Sequence, residues 1–461
     1  MAYLTLGCDK NRVDTEYTLG RLYERGFRPV PAPGSAFALI INTCGFIDLA
    51  KEESVETILE ALEARQEGTY EVIAVVGCLV ERYRDELCEE LPEVDLWMGL
   101  EHTDRLAHGL SELYRDKAGK PDADDVSAPE EHPPSLVCFN NVSRLITTRG
   151  HYSFLKIADG CSGGCSFCAI PRIKGPLRSR PLEELVSEAR ALEAAGIKEL
   201  NLVAQDTTAY GKDLPEDLEL ADLLERILSD TGIPWIRVLY AHPEHVTDRL
   251  IELLAQEPRL LRYLDLPLQH ISDRILSAMG RNAGRREIES LLDRLHARVP
   301  GLVLRSTFLV GFPGETDKDF RVVIDFIEEG HFFWAAAFGF SPEEGTAAYK
   351  MKGGVDQSIA DERAAAVYEA QRGITARKLG GFVGGDLVVL VDEPWSPVIY
   401  EEDHVSEAPE NTEWLARFRG QAVEVDGVVK LMGRASPGSF VRARVTGSWD
   451  YDLDASLIEE D

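Results

Sequence analysis

Basic residues are scarce in this chain of 461 residues: 49 Lys and Arg stand against 80 Asp and Glu, a formal net charge of −31. That balance excludes a general surface built to grip a phosphate backbone and suits a basic partner, although an organism whose proteins are all acidic would give the same figure. Long apolar runs are missing as well. No stretch reaches the roughly eighteen apolar residues of a membrane span, and Met1-Ala2-Tyr3-Leu4-Thr5-Leu6-Gly7-Cys8 lacks a basic segment leading into an apolar one. A cytoplasmic protein is expected. Cysteine is sparse, eight in the whole chain, which argues against a disulfide framework and for metal or redox chemistry. No Walker loop, zinc-finger spacing or Ser/His/Asp triad stands out, so the usual motifs of nucleotide hydrolysis and acyl transfer offer no lead.

What is present centres on Cys161-Ser162-Gly163-Gly164-Cys165-Ser166-Phe167-Cys168. The spacing CxxxCxxC allows three thiolates to hold three irons of a four-iron four-sulfur cluster, with no fourth cysteine nearby. One iron stays open, and an open iron can bind S-adenosylmethionine through its amino and carboxylate groups. A disulfide pair or a zinc site would compete for the same residues, but zinc sites usually draw on two separated Cys/His pairs. Here the sequence resembles the radical S-adenosylmethionine (radical SAM) superfamily.

Residues 1–114 alternate short apolar runs (3–6, 38–41, 72–76) with helical patterns (13–25, 51–64), which predicts an open parallel α/β domain. Each run ends at a cysteine: Cys8, Cys44 and Cys78. The carboxyl ends of parallel strands share one edge, so these three thiols are expected to converge and ligate a second cluster, again with an open iron. Cys88 and Cys138 lack such placement and are expected to be structural. Residues 115–149 begin with a polar, proline-containing stretch and read as a linker or surface crossing. Residues 150–379 give six strand–helix units, too few for a closed eight-stranded barrel and matching a partial (β/α)6 barrel. Polar clusters follow its strands at Asp159-Gly160, Gln205-Asp206, Ala241-His242-Pro243, Gln269-His270, Gly311 to Thr316 and Ser341 to Thr346. From 380 to 461 short valine-rich runs predict a small antiparallel β-domain, with a two-residue hairpin turn at Asp426-Gly427 between runs 418–425 and 428–432. Its place after the barrel resembles a TRAM domain, a module often linked to RNA. Yet residues 382–461 hold 17 acidic and 6 basic residues and end in an acidic tail.

Gly7-Cys8-Asp9-Lys10-Asn11-Arg12-Val13-Asp14-Thr15-Glu16, Asn42-Thr43-Cys44 and Gly77-Cys78, with the barrel and the tail, resemble the methylthiotransferase family from end to end. The resemblance implies two 4Fe-4S clusters, on Cys8, Cys44 and Cys78 and on Cys161, Cys165 and Cys168, and replacement of a C–H hydrogen by a methylthio group. It implies S-adenosylmethionine, a reductant such as flavodoxin or ferredoxin and a source of sulfide. Gln205-Asp206-Thr207-Thr208, Pro267-Leu268-Gln269-His270-Ile271-Ser272 and Ser341-Pro342-Glu343-Glu344 resemble the branch that modifies an aspartate β-carbon of a basic small-subunit ribosomal protein. The tRNA-modifying branches are the alternative, and a non-catalytic iron–sulfur carrier is the reading from another class. For S-adenosylmethionine contacts, Phe167 is a candidate to pack on the adenine, or else a core phenylalanine. Gln269 and Arg305 are further candidates, Arg305 because a guanidinium clamps carboxylates, though it could equally face outward. His242 and His270 are as readily structural as functional.

Overall fold

Ala38–Thr43 and Val72–Gly77 are buried along their whole length, as β-branched runs must be when helices cover both faces of a parallel sheet. The computed structural model describes residues 1–32, 36–100, 105–118, 135–395 and 413–458. Its amino-terminal sheet contains β1 (Ala2–Thr5), β2 (Val30–Pro31), β3 (Ala38–Thr43), β4 (Val72–Gly77) and β5 (Leu96–Met98), all parallel in the order β2-β1-β3-β4-β5. Helices α1 (Asp9–Glu24), α2 (Asp48–Gln66), α3 (Cys78–Glu90) and α4 (Leu106–Ala118) connect the strands. Most of the polar stretch, residues 119–134, lies outside the described residues, as do the last three acidic residues, 459–461.

The region expected to cross between domains contains an antiparallel hairpin, β6 (Leu136–Phe139) and β7 (Val142–Leu145). Its turn is Asn140-Asn141, with φ of 45° and 62°. Asparagine tolerates this left-handed region, which a two-residue hairpin needs. Cys138 therefore sits on β6, and Cys88 lies in α3.

The central sheet has six parallel strands, β8 (Tyr152–Lys156) and, after a short pair β9 (Ala158–Asp159) with β10 (Arg178–Ser179), β11 (Glu199–Val203), β12 (Trp235–Val238), β13 (Leu260–Asp265), β14 (Val303–Val310) and β15 (Trp334–Gly339). The sheet stays open between β8 and β15. Around it run α5 (Ile170–Ile173), α6 (Leu182–Ala194), α7 (Leu220–Asp230), α8 (Asp248–Gln256), α9 (Asp273–Ala278), α10 (Arg285–Arg298), α11 (Asp317–Glu328) and α12 (Gln357–Gly380). Apolar helix faces such as Leu185, Leu192, Leu224 and Leu292 pack on the outer side of the strands.

The carboxyl-terminal strands β16 (Asp386–Pro394), β17 (Glu413–Phe418), β18 (Val429–Met432), β19 (Phe440–Trp449) and β20 (Asp452–Leu457) close into a barrel. One pair, β18 with β20, is parallel; the rest are antiparallel. Residues 418–425 are not a strand beyond Phe418, and Asp426-Gly427 is not a two-residue hairpin turn. Asp426 instead accepts hydrogen bonds from Tyr263 Oη (2.7 Å) and Ala422 N (2.8 Å), so a tertiary contact sets this loop. Val389, Val391, Trp414 and Phe418 share one core with Tyr152, Trp235, Tyr263, Val303 and Trp334, which lie at or near the starts of central strands. The barrel thus seals the end of the central sheet opposite the loop that carries Cys161.

Buried ion pairs stitch the units together. Arg144 of β7 is fully buried and donates to Glu16 of α1 (2.9 Å) and Glu188 of α6 (2.6 Å). Arg417 of β17 reaches Glu199 of β11 (2.5 Å) and Asp392 of β16 (2.7 Å). Arg144→Ala leaves the buried Glu16 without its cation, while Glu188 keeps Arg180 (2.7 Å), and the expected loss is about 3–5 kcal/mol, measured by urea unfolding; a loss under about 1 kcal/mol would mean that water or another cation replaces the guanidinium.

Candidate active site

Cys8 follows β1, Cys44 follows β3, and Cys78 opens α3 directly after β4. Two glycines allow these turns to close on one another. Gly7 has φ +86°, and a Cβ there would stand 2.7 Å from the Cβ of Cys44; Gly77 has φ +103°, and its Cβ would stand 2.2 Å from Asn42 Oδ1. Asn11 of α1 ties the three strand ends together. Its Nδ2 donates to Leu6 O (3.2 Å) and Thr43 O (3.0 Å), while its Oδ1 accepts from the Cys78 thiol at 3.5 Å. Cys44 and Cys78 are buried and Cys8 is exposed. Burial pushes the Cys78 thiol up to about 12; Lys174 opposes this, and Cys8 and Cys44 add to it.

Cys161, Cys165 and Cys168 lie half-buried in the loop between β9 and α5. Backbone bonds fix that loop: Cys161 N to Gly175 O (3.1 Å), Ser166 N to Met279 O (2.9 Å) and Ala348 N to Ser166 O (2.8 Å). Burial pushes Cys168 up to about 12 and raises Cys161.

The two triplets adjoin. Cys78 packs in one apolar cluster with Ala169 and Ile173, and Ala169 is the residue after Cys168. Beside them Asp14 of α1 accepts from Lys174 Nζ (2.7 Å) and from Lys156 Nζ, which also pairs with Asp159 (2.7 Å). Burial alone would raise the Asp14 carboxyl, but the two ammonium groups hold it at about 2.

The donor sets suit clusters better than single ions. Tetrahedral zinc, with Zn–S of about 2.3 Å, brings its sulfurs within about 4 Å of one another. Among the described residues only Asp206, His242 and His245 bring three ligand-type atoms within 4.8 Å, and neither cysteine triplet does. All three residues are already engaged, His245 Nδ1 with Asp206 (2.7 Å) and His242 Nε2 with Arg281 (2.5 Å).

Phe167 is half-buried and packs against a cluster that includes Ile275, Met279 and Phe312. Gln269 is half-buried with φ +71°, held by bonds from its N to Thr307 O (2.8 Å) and to its O from Leu309 N (2.7 Å). A non-glycine residue in that region is strained, and such strain clusters at ligand sites. Arg305 lies on β14 between Asp265 (3.2 Å) and Asp426 (3.4 Å). Its charge is already neutralised by two carboxylates. Arg281, which sequence reasoning missed, is different. It bonds the neutral His242 ring, its buried Nε has no hydrogen-bond partner, and no carboxylate pairs with it among the described residues. It stands close enough to Cys161 and Cys168 to favour their thiolates. Nothing in its spacing links it to the cysteines; the only sequence signal is a cation just past α9.

Residues 155–327 match the radical SAM superfamily, residues 1–99 the uncharacterized protein family UPF0004, and residues 383–458 the TRAM domain. The ribosomal protein uS12 methylthiotransferase RimO of Anaeromyxobacter sp. (strain K) is 41% identical over 459 residues, covering 99% of this chain and 93% of that protein. The chain belongs to the RimO family. RimO of Geobacter sulfurreducens, 39% identical, is matched over 99% of this chain and 98% of its own length. Membership makes this chain a radical SAM methylthiotransferase, with iron–sulfur and S-adenosylmethionine as its cofactors. The fold alone is shared with the radical S-adenosylmethionine methyltransferase TsrM of Kitasatospora setae: TM-score 0.51 at 17% identity, over 75% of this chain and 73% of that one. Among the described residues of this RimO-family chain, no helix is long and apolar enough to cross a membrane.

Two histidines of the site face stay neutral. Burial lowers His270 to about 4, and burial with Arg281 lowers His242 to about 4. His270 Nδ1 accepts from Ser272 N (2.9 Å) and His242 Nδ1 from Glu244 N (3.3 Å). In the unfolded chain each titrates near 6.5, so the unfolded state binds more protons between these values. Stability therefore falls as pH drops from about 6.5 toward 4, by at most ~1.4 kcal/mol per pH unit for each histidine. His270→Asn, which keeps an acceptor for Ser272, is expected to flatten this slope when urea unfolding is compared at about pH 7 and about pH 5; parallel slopes for variant and parent would refute the neutral-histidine assignment.

Proposed function

We propose that this chain places a methylthio group on the β-carbon of an aspartate in ribosomal protein uS12. In this reading Cys161, Cys165 and Cys168 hold one 4Fe-4S cluster, and Cys8, Cys44 and Cys78 hold a second. The units are residues 1–114 for the second cluster, 115–149 as the crossing, 150–379 as the radical SAM partial barrel and 380–461 as the TRAM-like domain. The observation that carries the reading is the packing of Cys78 against Ala169 and Ile173, which sets the two thiol triplets side by side. A carbon-centred radical has to meet sulfur before it meets anything else, so the two sites cannot be far apart.

When bound, the clusters and S-adenosylmethionine supply hydrogen abstraction, sulfur and methyl group, chemistry beyond any side chain. The chain's own residues position and shield. Asn11 fixes the Cys78 thiol against the ends of β1 and β3. Lys156 and Lys174 clasp Asp14 and so lock α1 of the first unit to the cysteine loop of the second. Arg281, which pairs with no carboxylate among the described residues, is the group we assign to the carboxylate of S-adenosylmethionine, with Gln269 and Phe167 as further contacts. Arg305 then acts as a brace between β13, β14 and the carboxyl-terminal barrel. The relatives named as uS12 methylthiotransferases support the choice of substrate, and so does the net charge of −31, since uS12 is basic. The reading includes a cytoplasmic site of action, an electron donor of the flavodoxin or ferredoxin type and a source of sulfide.

Anaerobic incubation of reconstituted enzyme with S-adenosylmethionine and reductant, offered uS12 and unmodified tRNA, tests the substrate by mass spectrometry. A methylthio increase on a uS12 aspartate is expected; the increase on tRNA alone would refute the reading. Cys8→Ala is expected to lose about half of the bound iron while still forming deoxyadenosine from S-adenosylmethionine, because the barrel cluster is untouched. Unchanged iron would remove Cys8 from the ligand set. Arg281→Ala should weaken equilibrium binding of S-adenosylmethionine about tenfold or more, the scale of a lost charge-assisted contact; equal binding by variant and parent would return the carboxylate to another residue.

A further inference from the structure

A cleft of about 470 Å³ runs between α2, α3 and the loop after β15. Its walls carry Asp48, Glu86, Glu90 and Glu344, with the rings of Tyr83 and Tyr349 among them. The cations close by are already paired. Lys51 bonds Asp48 (2.6 Å) and Glu343 (3.0 Å), and Arg82 bonds the same buried Glu343 (2.8 Å). Glu86, Glu90 and Glu344 are exposed, and no cation pairs with them among the described residues. Tyr349 is 46% exposed. Beside the cleft, Phe46 is 38% exposed and Leu49 74%. The Tyr83 ring already faces Arg82 (4.9 Å) and Lys51 (5.7 Å), so the exposed Tyr349 ring, beside the unpaired carboxylates, is the face that matches an incoming lysine or arginine by cation–π contact, while the carboxylates match it by charge and repel a phosphate backbone.

The position of the cleft gives this chemistry a use. One wall begins at Asp48, four residues after Cys44. The opposite wall includes Tyr349, next to Ala348, whose N–H bonds Ser166 in the other cysteine loop (2.8 Å). A polypeptide lying in the cleft therefore passes the edges of both cysteine-bearing loops. We propose that this cleft docks a basic, lysine- or arginine-bearing segment of the protein substrate, holding it next to the site that modifies its aspartate. The proposal rests on the ribosomal-protein reading and adds where that protein is gripped.

The test compares E86K/E90K with a control, D293K/E328K, in reconstituted holoenzyme. The control residues are exposed on α10 and α11 and carry the same change in net charge. With purified uS12 as substrate, E86K/E90K is expected to raise KM about tenfold, change kcat less than about twofold and flatten the dependence of KM on sodium chloride. The control should follow the parent. An unchanged KM in E86K/E90K overturns the proposal, and so does an equal rise in both variants, which would assign the attraction to the general surface field. E344K, on the facing wall, gives an independent reading should the double variant not fold, with iron content as the check on folding. Failure of the parent enzyme to modify uS12 is a separate result, which overturns the substrate reading and the docking proposal with it.

Discussion

One carboxylate between two ammonium groups holds the active region in register. Asp14 projects from α1 of the amino-terminal unit, Lys156 ends β8, and Lys174 follows α5 just beyond the cysteine loop. Each cysteine triplet is arranged within its own sheet by strand ends and backbone bonds. Their relation to one another has no such scaffold and depends on this bridge, together with the Cys78, Ala169 and Ile173 contact, the Arg144 pairs and the hold of Lys51 and Arg82 on Glu343. Buried charges of this kind add little net stability, but their strict partner demand makes alternative dockings costly. Two rigid parallel sheets can thus meet in one orientation.

Much of this was legible in sequence because it is local. Strands β3 and β4 are continuous Val/Ile-rich runs, and Cys44 and Cys78 follow them directly, so the convergence on one sheet edge needs only the rule for parallel strands. Cys161 to Cys168 announce themselves by spacing. What escaped depends on distant partners. Asp426-Gly427 has turn chemistry, yet Asp426 answers Tyr263 and Arg305, far away in sequence, and the local preference yields. Asn140-Asn141 had the chemistry of a tight turn but lay after a long polar stretch that masked it. Arg305 and Arg281 are indistinguishable as residues. Only the two carboxylates paired with Arg305, and the lack of a paired carboxylate on Arg281 among the described residues, separate them.

The acidic character also divides by location. On the carboxyl-terminal barrel, Asp386 pairs with Arg444 and with Arg442 (3.4 Å), while Asp392 is neutralised by Arg417. Along α3 and the loop after β15, Glu86, Glu90 and Glu344 pair with no cation among the described residues, whereas Glu343 is held by Lys51 and Arg82. A net charge therefore says little about where a partner binds until the paired groups are set aside.

The closed barrel at the carboxyl terminus shares its core with the starts of the central strands, and Arg417 supplies the second cation on the buried Glu199 of β11, beside Arg237 of β12 (3.0 Å). A chain leaves the ribosome amino end first, and domains tend to fold as they emerge. The central sheet can pair its strands early, but its open end keeps Trp235, Tyr263 and Trp334 uncovered until β16 and β17 have been made. Translation order thus leaves the catalytic half sticky and unfinished through the synthesis of the last part of the chain, and a nascent polypeptide stalled near residue 380 would be a client for chaperones.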